Sequence, residues 1–197
     1  MKKRLLYILL CVSSGNLFSQ ANTDFINFNA KRNKINRHAM YVLGGWGVAN
    51  MGFSGVEYSK ATGSDRYFHQ MNLMWGGINA LIAGGSLLMK DKNDLNLSQT
   101  VRFQNSTEKT FAVNAAVDLL YSSAGLYLTE RARNDLKHAD KYNGWGNSLI
   151  MQGGFLFLFD ATIAIIQSRH GKKHLSPLLD KATISTSGLG LRIGVQL

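Results

Sequence analysis

Two aspartates stand alone inside long stretches that are otherwise uncharged, and their side chains are the ones best suited to chemistry. Asp118 lies within TFAVNAAVDLLYSSAGLYL and Asp160 within GWGNSLIMQGGFLFLFDATIAII. An ionisable group in an apolar helix is costly and favours a functional interpretation. Two such carboxyl groups held close together would bind a cation or relay a proton. The alternative is that each carboxylate hydrogen-bonds to Asn, Tyr or His and only fixes the helix register.

Further polar side chains share helical faces. Residues three, four or seven positions apart lie on one side of a helix, which groups Asn114 and Tyr121 with Asp118 and also groups three polar residues of the preceding segment. Such faces can meet inside a bundle. The predicted polar interior, a candidate site for binding a ligand, ion or proton, comprises His69, Asn72, Asn79, Asn114, Asp118, Tyr121 and Asp160. Taken alone, His69 is better explained as a packed interior histidine than as a ligand.

Catalytic and metal-binding motifs are missing from the sequence. It contains no Glu-x-x-His or His-Glu-x-x-His pattern, no phosphate loop and no nucleophile elbow. We therefore predict no metal site, no cofactor and no catalytic residue, and we favour a non-enzymatic protein.

Four long segments with few charges must position the polar residues. The predicted helices cover about residues 39–60, 65–89, 107–133 and 142–169, with starts at Ser64 and at a capping box of Asn105 and Glu108, and a stop at Gly171. Twenty glycines against one proline favour uninterrupted, closely packed helices. The predicted fold is all-α, a four-helix bundle of long Gly-rich helices. Alternation of apolar residues near the end adds a short strand or hairpin over about residues 182–197.

The composition of these helices favours a membrane. The second segment has no charge from Asn72 to Met89, and its small residues Gly76, Ala80 and Gly84 form a groove at four-residue steps, as in membrane helices. Gly45 and Ala49 repeat this spacing in the first segment. A helix buried in a soluble bundle is the alternative, but four such helices cannot all be internal in one small bundle. We therefore predict membrane-embedded helices.

The N-terminal residues have the pattern of an export signal. A basic start, Lys2 to Arg4, precedes an apolar run, and Ser19-Gln20-Ala21 fits a cleavage site. We predict a signal peptide over residues 1–21 and a single helical domain over residues 22–197, so that cleavage removes the only cysteine, Cys11. The predicted location is the cell-envelope membrane, with a soluble periplasmic protein as the alternative. The distribution of Lys and Arg opposes this, because it favours a cytoplasmic N-terminus.

Two motifs resemble those of a known family. The runs Tyr67-Phe68-His69-Gln70-Met71-Asn72 and Val42-Leu43-Gly44-Gly45-Trp46 are similar to the signature of an uncharacterised family of Bacteroidota, a domain of unknown function. The resemblance covers roughly residues 36–168. It implies an exported or membrane helical protein and supplies no activity.

Two functions follow as expectations. The first is a non-enzymatic envelope protein, a membrane bundle with a structural or partner-binding role. The alternative is binding or transport of a small ligand, ion or proton in the polar interior. The expected partners are the lipid bilayer and either other membrane helices or further copies of the chain. Although the net charge is +10, the basic residues form no dense face with aromatics, so we expect no nucleic-acid binding.

Overall fold

The computed structural model describes the backbone of residues 2–180 and the side chains of residues 23–180. Within that range the chain is helical, which confirms an all-α fold with four long helices. They are α1 Lys2–Tyr58, α2 Gly63–Leu88, α3 Leu97–Ala132 and α4 Ala139–His170, followed by a π-helical turn at Gly171–Leu175 and a further helical stretch at 176–180. The strand predicted for residues 182–197 lies outside the described residues.

The first helix is much longer than predicted. It runs without a break from Lys2, so the stretch expected to be a polar leader before residue 39 is helical. This stretch contains neither Gly nor Pro between residues 22 and 38. Its polar side chains also have partners inside the bundle: Asn29 donates to Thr100 on α3 at 2.9 Å. The polarity that suggested a loop therefore marks an interior face. Removal of residues 1–21 on export stays a prediction.

Three helix boundaries differ from the predicted ones. The capping box of α3 is formed by Asn96 and Gln99, not by Asn105 and Glu108, and it starts the helix about ten residues early. Likewise, α2 begins after Thr62 rather than Ser64, through Gly63 at φ +56°. Finally, α4 begins at Ala139 rather than at 142. Its end at His170 agrees with the predicted stop at Gly171, although Gly171 is right-handed helical and the chain continues as a π-helical turn.

The four helices run alternately up and down as two hairpins. Helix α1 packs along α2, α3 packs along α4, and α2 packs against α4. The short loops at 59–62 and 133–138 share one end, where Gly63 approaches Asp140. The opposite end, which we call the linker end, holds the connection 89–96, and Asn33 of α1 donates to Asn93 there at 2.8 Å.

Glycines let the backbones of each hairpin touch. A Cβ added to Gly47 would lie 2.7 Å from the Gly76 carbonyl oxygen, and one added to Gly125 would lie 2.6 Å from that of Gly146. The predicted groove on α2 is thus used at Gly76, but Gly84 and, on α1, Gly45 have nothing within 4 Å. The two backbones of a hairpin touch at those glycines that face the backbone of the other helix. The four-residue spacing of small residues did not identify which glycines these are.

Two helical stretches are long and apolar enough to cross a membrane, by length and composition. They are Leu97–Ala132 and Ala139–Asp180. Helices α1 and α2 are not among them, although the sequence suggested that all four were. In α2 the reason is physical: glycine and asparagine occupy much of its length and contribute little hydropathy.

We predict that Gly47→Ala destabilises the bundle, whereas Gly52→Ala does not. The new methyl at position 47 would meet the backbone nitrogen of Ala80 at 2.7 Å, but Gly52 has open space. Overpacking of this kind costs about 1–3 kcal/mol, while alanine at an open helical position gains up to about 1 kcal/mol. Thermal unfolding of both variants in detergent, followed by circular dichroism, measures the difference. Equal midpoints for the two variants would contradict the close crossing.

Candidate functional site

The interior of the bundle is polar. The largest side chains that are fully buried are all amides or hydroxyls, namely Gln104, Gln152, Gln167, Asn29, Asn72, Thr100, Ser54 and Ser148. Apolar packing is confined to two smaller clusters, of which the main one is built around Leu43, Phe111, Leu156 and Phe159. A buried polar group costs free energy unless it is hydrogen-bonded, so these side chains require partners from neighbouring helices.

The centre of the interior is an amide network around Gln152. Its Oε1 accepts from the Trp46 indole at 2.8 Å, and its Nε2 donates to Asn50 Oδ1 at 3.0 Å and to Asn72 Oδ1 at 2.9 Å. Ser148 also donates to Asn72 Oδ1, at 2.7 Å. One side chain of α4 therefore joins α1 and α2, and the three helices share a single hydrogen-bonded layer.

The two aspartates singled out in the sequence meet in the structure. Asp118 of α3 is 4% exposed and Asp160 of α4 is 6% exposed, and their carboxyl groups lie within hydrogen-bonding reach of each other. The amide of Asn114, which is exposed on α3, also bonds to Asp160. Two buried carboxyl groups at this separation disfavour each other's charged form, so at least one of them is favoured in its neutral form.

No N–H or O–H donor of the described residues satisfies Asp118 Oδ2. A proton held between the two carboxyl groups could satisfy this oxygen. Within the described chain, no three His, Cys, Asp or Glu side chains converge as a metal site would require. The donor set at this position, two carboxyl groups and one amide, therefore suits a proton better than a transition metal.

Two further buried donors lie on α2 without a partner among the described residues. They are the Trp75 indole nitrogen and the Asn79 amide nitrogen. Trp75 contacts the edge of Tyr121 with ring centroids 4.8 Å apart, and Tyr121 is one helical turn from Asp118. The two α2 donors thus lie on the side of the interior that faces α3. A water molecule or a small ligand could satisfy them.

A second polar layer closes the linker end. Gln167 of α4 donates to Asn36 of α1 at 2.6 Å, and Gln104 of α3 donates to the Gln167 backbone carbonyl at 2.8 Å. Beside it Arg32 is 3% exposed and donates to Asn29 Oδ1 at 2.8 Å. Burial lowers the pKa of Arg32, whose guanidinium still remains charged at neutral pH.

The predicted site residues divide among four positions. Asn114, Asp118 and Asp160 come together, Asn79 and Tyr121 lie near Trp75 and next to that pair, and Asn72 belongs to the Gln152 network. His69 instead lies on α2 with its Nδ1 3.3 Å from Ser54 Oγ on α1. Along α2 it is ten residues from Asn79, roughly 15 Å at the helical rise, so the structure does not bring His69 to the carboxyl pair.

Sequence reasoning missed the glutamines of the linker end and underrated Gln152. The seven-residue spacing of the interior positions along α3 and α4 could have indicated these glutamines. On α3 the positions Gln104, Phe111, Asp118 and Gly125 are all buried. On α4 the step from Asp160 to Gln167 is also seven residues. A seven-residue repeat marks the inner face of a packed helix whether its members are apolar or polar.

Comparison with protein families gives one match. A family model covers residues 42–161, from α1 to the turn of α4 that carries Asp160. The chain belongs to the family of unknown function DUF6992. This confirms that the chain carries a domain of unknown function, while its link to Bacteroidota and to the two motifs stays a prediction. The DUF6992 region contains the Gln152 network and the carboxyl pair, and it ends before Gln167. Neither the curated proteins nor the solved structures contain a match to the chain.

We predict that Gln152→Ala strongly destabilises this DUF6992 protein. The substitution leaves Trp46 Nε1 and Asn50 Oδ1 without a partner, at about 1–3 kcal/mol for each group, and removes one of the two donors to Asn72 Oδ1. The expected loss is therefore about 3 kcal/mol or more in denaturant unfolding. Gln70→Ala is the matched control, because Gln70 is exposed and only accepts a 3.3 Å bond from Trp145. If both variants lost the same stability, the Gln152 network would not be the centre of the bundle.

Proposed function

We propose that this protein is a non-enzymatic, membrane-embedded helical bundle that holds an exchangeable proton at Asp118 and Asp160. The proposal rests on one observation above the others: two buried carboxyl groups from different helices meet in a polar interior that is enclosed by an apolar surface. The surface supports the membrane location, and the carboxyl pair supports the proton site.

Much of the outer surface is apolar, and each of the four helices contributes to it. Large hydrophobic side chains are widely exposed, and examples from successive helices are Phe53, Leu81, Leu120 and Leu158. In water such groups would be buried and amides would be exposed. This bundle instead buries many amides beside its apolar clusters and leaves these large hydrophobic side chains outside. A bilayer favours this arrangement, because polar groups must then be satisfied inside the protein while apolar groups face lipid.

The two candidate spans support the same conclusion. A core helix of a soluble protein is mostly buried, but the most apolar windows of Leu97–Ala132 and Ala139–Asp180 are only 22% and 28% buried in the bundle. The remaining apolar surface of these helices needs a nonpolar solvent or a partner. Lipid provides the nonpolar solvent along their whole length.

The carboxyl pair supports proton binding because a third polar group orients it. Asn114 of α3 donates its amide N–H to the Asp160 carboxyl group. The proton is then held between Asp160 and Asp118. Movement of this proton to the α2 side, toward Trp75 and Asn79, would require water in the interior, for which those two unpartnered donors are suitable sites.

We predict that cysteines at two equally exposed leucines react differently in proteoliposomes. Leu81 on α2 is 77% exposed and Leu136 in the 133–138 loop is 87% exposed. With Cys11 replaced by Ser, N-ethylmaleimide should modify Leu136→Cys quickly and Leu81→Cys slowly, since only a hydrated thiol ionises. Mass spectrometry measures both rates. Similar fast rates at the two positions would exclude a membrane around α2.

We also predict that the wild-type protein contains a neutral carboxylic acid at pH 7. Infrared spectroscopy should show its carbonyl stretch, sensitive to deuterium exchange, and the double variant Asp118→Asn/Asp160→Asn should abolish the band. Asp94→Asn, at an exposed carboxylate, is the control that should leave it unchanged. Asp160→Leu should in addition cost about 1–3 kcal/mol of stability, because it leaves the buried Asp118 carboxyl group without its hydrogen-bond partner. A wild-type spectrum without the band would refute the shared proton.

A further inference from the structure

A basic cavity lies between α1 and the end of α4. It has a volume of about 330 Å³ and is lined by Asp24, Asn27, Phe28, Lys31, His170, His174 and Leu178. Three of these residues can carry a positive charge, and Asp24 is the only carboxylate among them. The cavity is outside the residues that match the family model.

His170 is the buried part of this cavity. It is 6% exposed, stacks on Phe28 with ring centroids 4.4 Å apart, and its Nε2 lies 3.2 Å from the Phe28 carbonyl oxygen. Because that oxygen can only accept, Nε2 carries the proton. The other ring nitrogen, Nδ1, is buried and has no partner among the described residues. Nδ1 is thus a polar atom that can take up a proton and donate to an anion.

The positive charge around this cavity is poorly neutralised. The lasting charge is that of Lys31, with Arg32 and Lys173 nearby. Burial, and then repulsion by these cations, disfavours a proton on His170 and His174, so the two imidazoles gain a charge only when an anion binds. Arg32 bonds only to asparagine side chains, at Asn29 and Asn33. None of the ion pairs in the described part of the chain includes it. A bound anion would relieve this repulsion.

An apolar groove continues from the basic cavity along the same pair of helices. It has a volume of about 560 Å³ and is lined by Ile35, His38, Ala39, Val42, Phe155, Leu158, Phe159, Thr162, Ile163 and Ile166. On α1 the lining residues of cavity and groove follow one another at three- and four-residue steps from Asp24 to Val42, so they share one helical face. On α4 the groove extends roughly 16 Å, from Phe155 to Ile166.

The π-helical turn after α4 keeps the residues of the basic cavity on the same side of the helix as those of the apolar groove. Successive four-residue steps drift around an α-helix by about 40°, since it has 3.6 residues per turn. The wider π turn at Gly171–Leu175 offsets part of that drift, so His174 and Leu178 stay on the side of His170. Gly171 permits this path because its Cα lies against Gln104 and Glu108 of α3.

The basic cavity and the apolar groove together form one continuous surface, which we call the seam. We propose that this seam binds an anionic phospholipid, with the phosphate in the basic cavity and an acyl chain in the apolar groove. The two halves of the seam match the two halves of such a lipid in charge and polarity, and they occur in the order that a lipid requires at a membrane surface. The site does not involve Asp118 or Asp160, so it can be tested separately from the proton site.

The test measures binding of phosphatidylglycerol and of zwitterionic phosphatidylcholine to the full chain by native mass spectrometry. Wild type should prefer phosphatidylglycerol, and the double variant Lys31→Gln/His174→Gln should lose roughly tenfold in affinity for it, given the size of single charge contacts to lipid surfaces. Binding of phosphatidylcholine should not change. Lys34→Gln is the matched control, one turn along α1 and outside the cavity.

A photoactivatable phosphatidylglycerol with the reactive group on its acyl chain gives an independent measurement. It should label peptides that contain Ile35–Val42 or Phe155–Ile166. Equal affinity of wild type for the two lipids, or a preference that survives in the double variant, would overturn the proposal. So would inorganic phosphate that binds as tightly as the lipid, because the cavity would then be a site for a free anion only. Labelling spread evenly over α2 and α3 would exclude the groove.

Discussion

The structure depends on the requirement that a buried amide must find a hydrogen-bond partner. In this bundle many of the partners come from other helices, although Asn50 and Gln104 also donate along their own helices. Gln152 alone connects α4 to α1 and α2, and Gln167 with Gln104 connects α4 to α1 and α3. The helices are therefore held at specific heights relative to one another. Apolar packing by itself would allow neighbouring registers at small cost.

The close contacts at glycines allow the amide hydrogen bonds to form. Backbones that touch at Gly47 and Gly76 bring α1 close enough to α2 for Asn50 and Asn72 to reach the same glutamine. In the second hairpin Gly153 lies against the Asp118 carbonyl, which brings the α3 and α4 backbones together just before the carboxyl pair. Short side chains at the crossing thus make room for polar side chains on either side of it.

Much of this could be read from the sequence, but not the part that depends on three-dimensional pairing. Helix number and type followed from the long stretches without proline, and Asp118 and Asp160 stood out because they interrupt apolar runs. The residues before position 39 were misread, since polar side chains such as Asn29 and Arg32 are ordinarily solvent-exposed and only their partners on other helices explain their burial. His69 was grouped with Asn79 by spacing. Spacing shows that two residues share a face, but it does not show which neighbour each one meets.

The Gln152 layer also has a consequence for biogenesis. When α1 and α2 have been synthesised but α4 has not, the Trp46 indole and the oxygens of Asn50 and Asn72 have no amide to bind. The first hairpin by itself is therefore an unfinished unit with polar groups on its inner face. Only arrival of the last helix completes it, so a chain that is truncated after α3 leaves that face open.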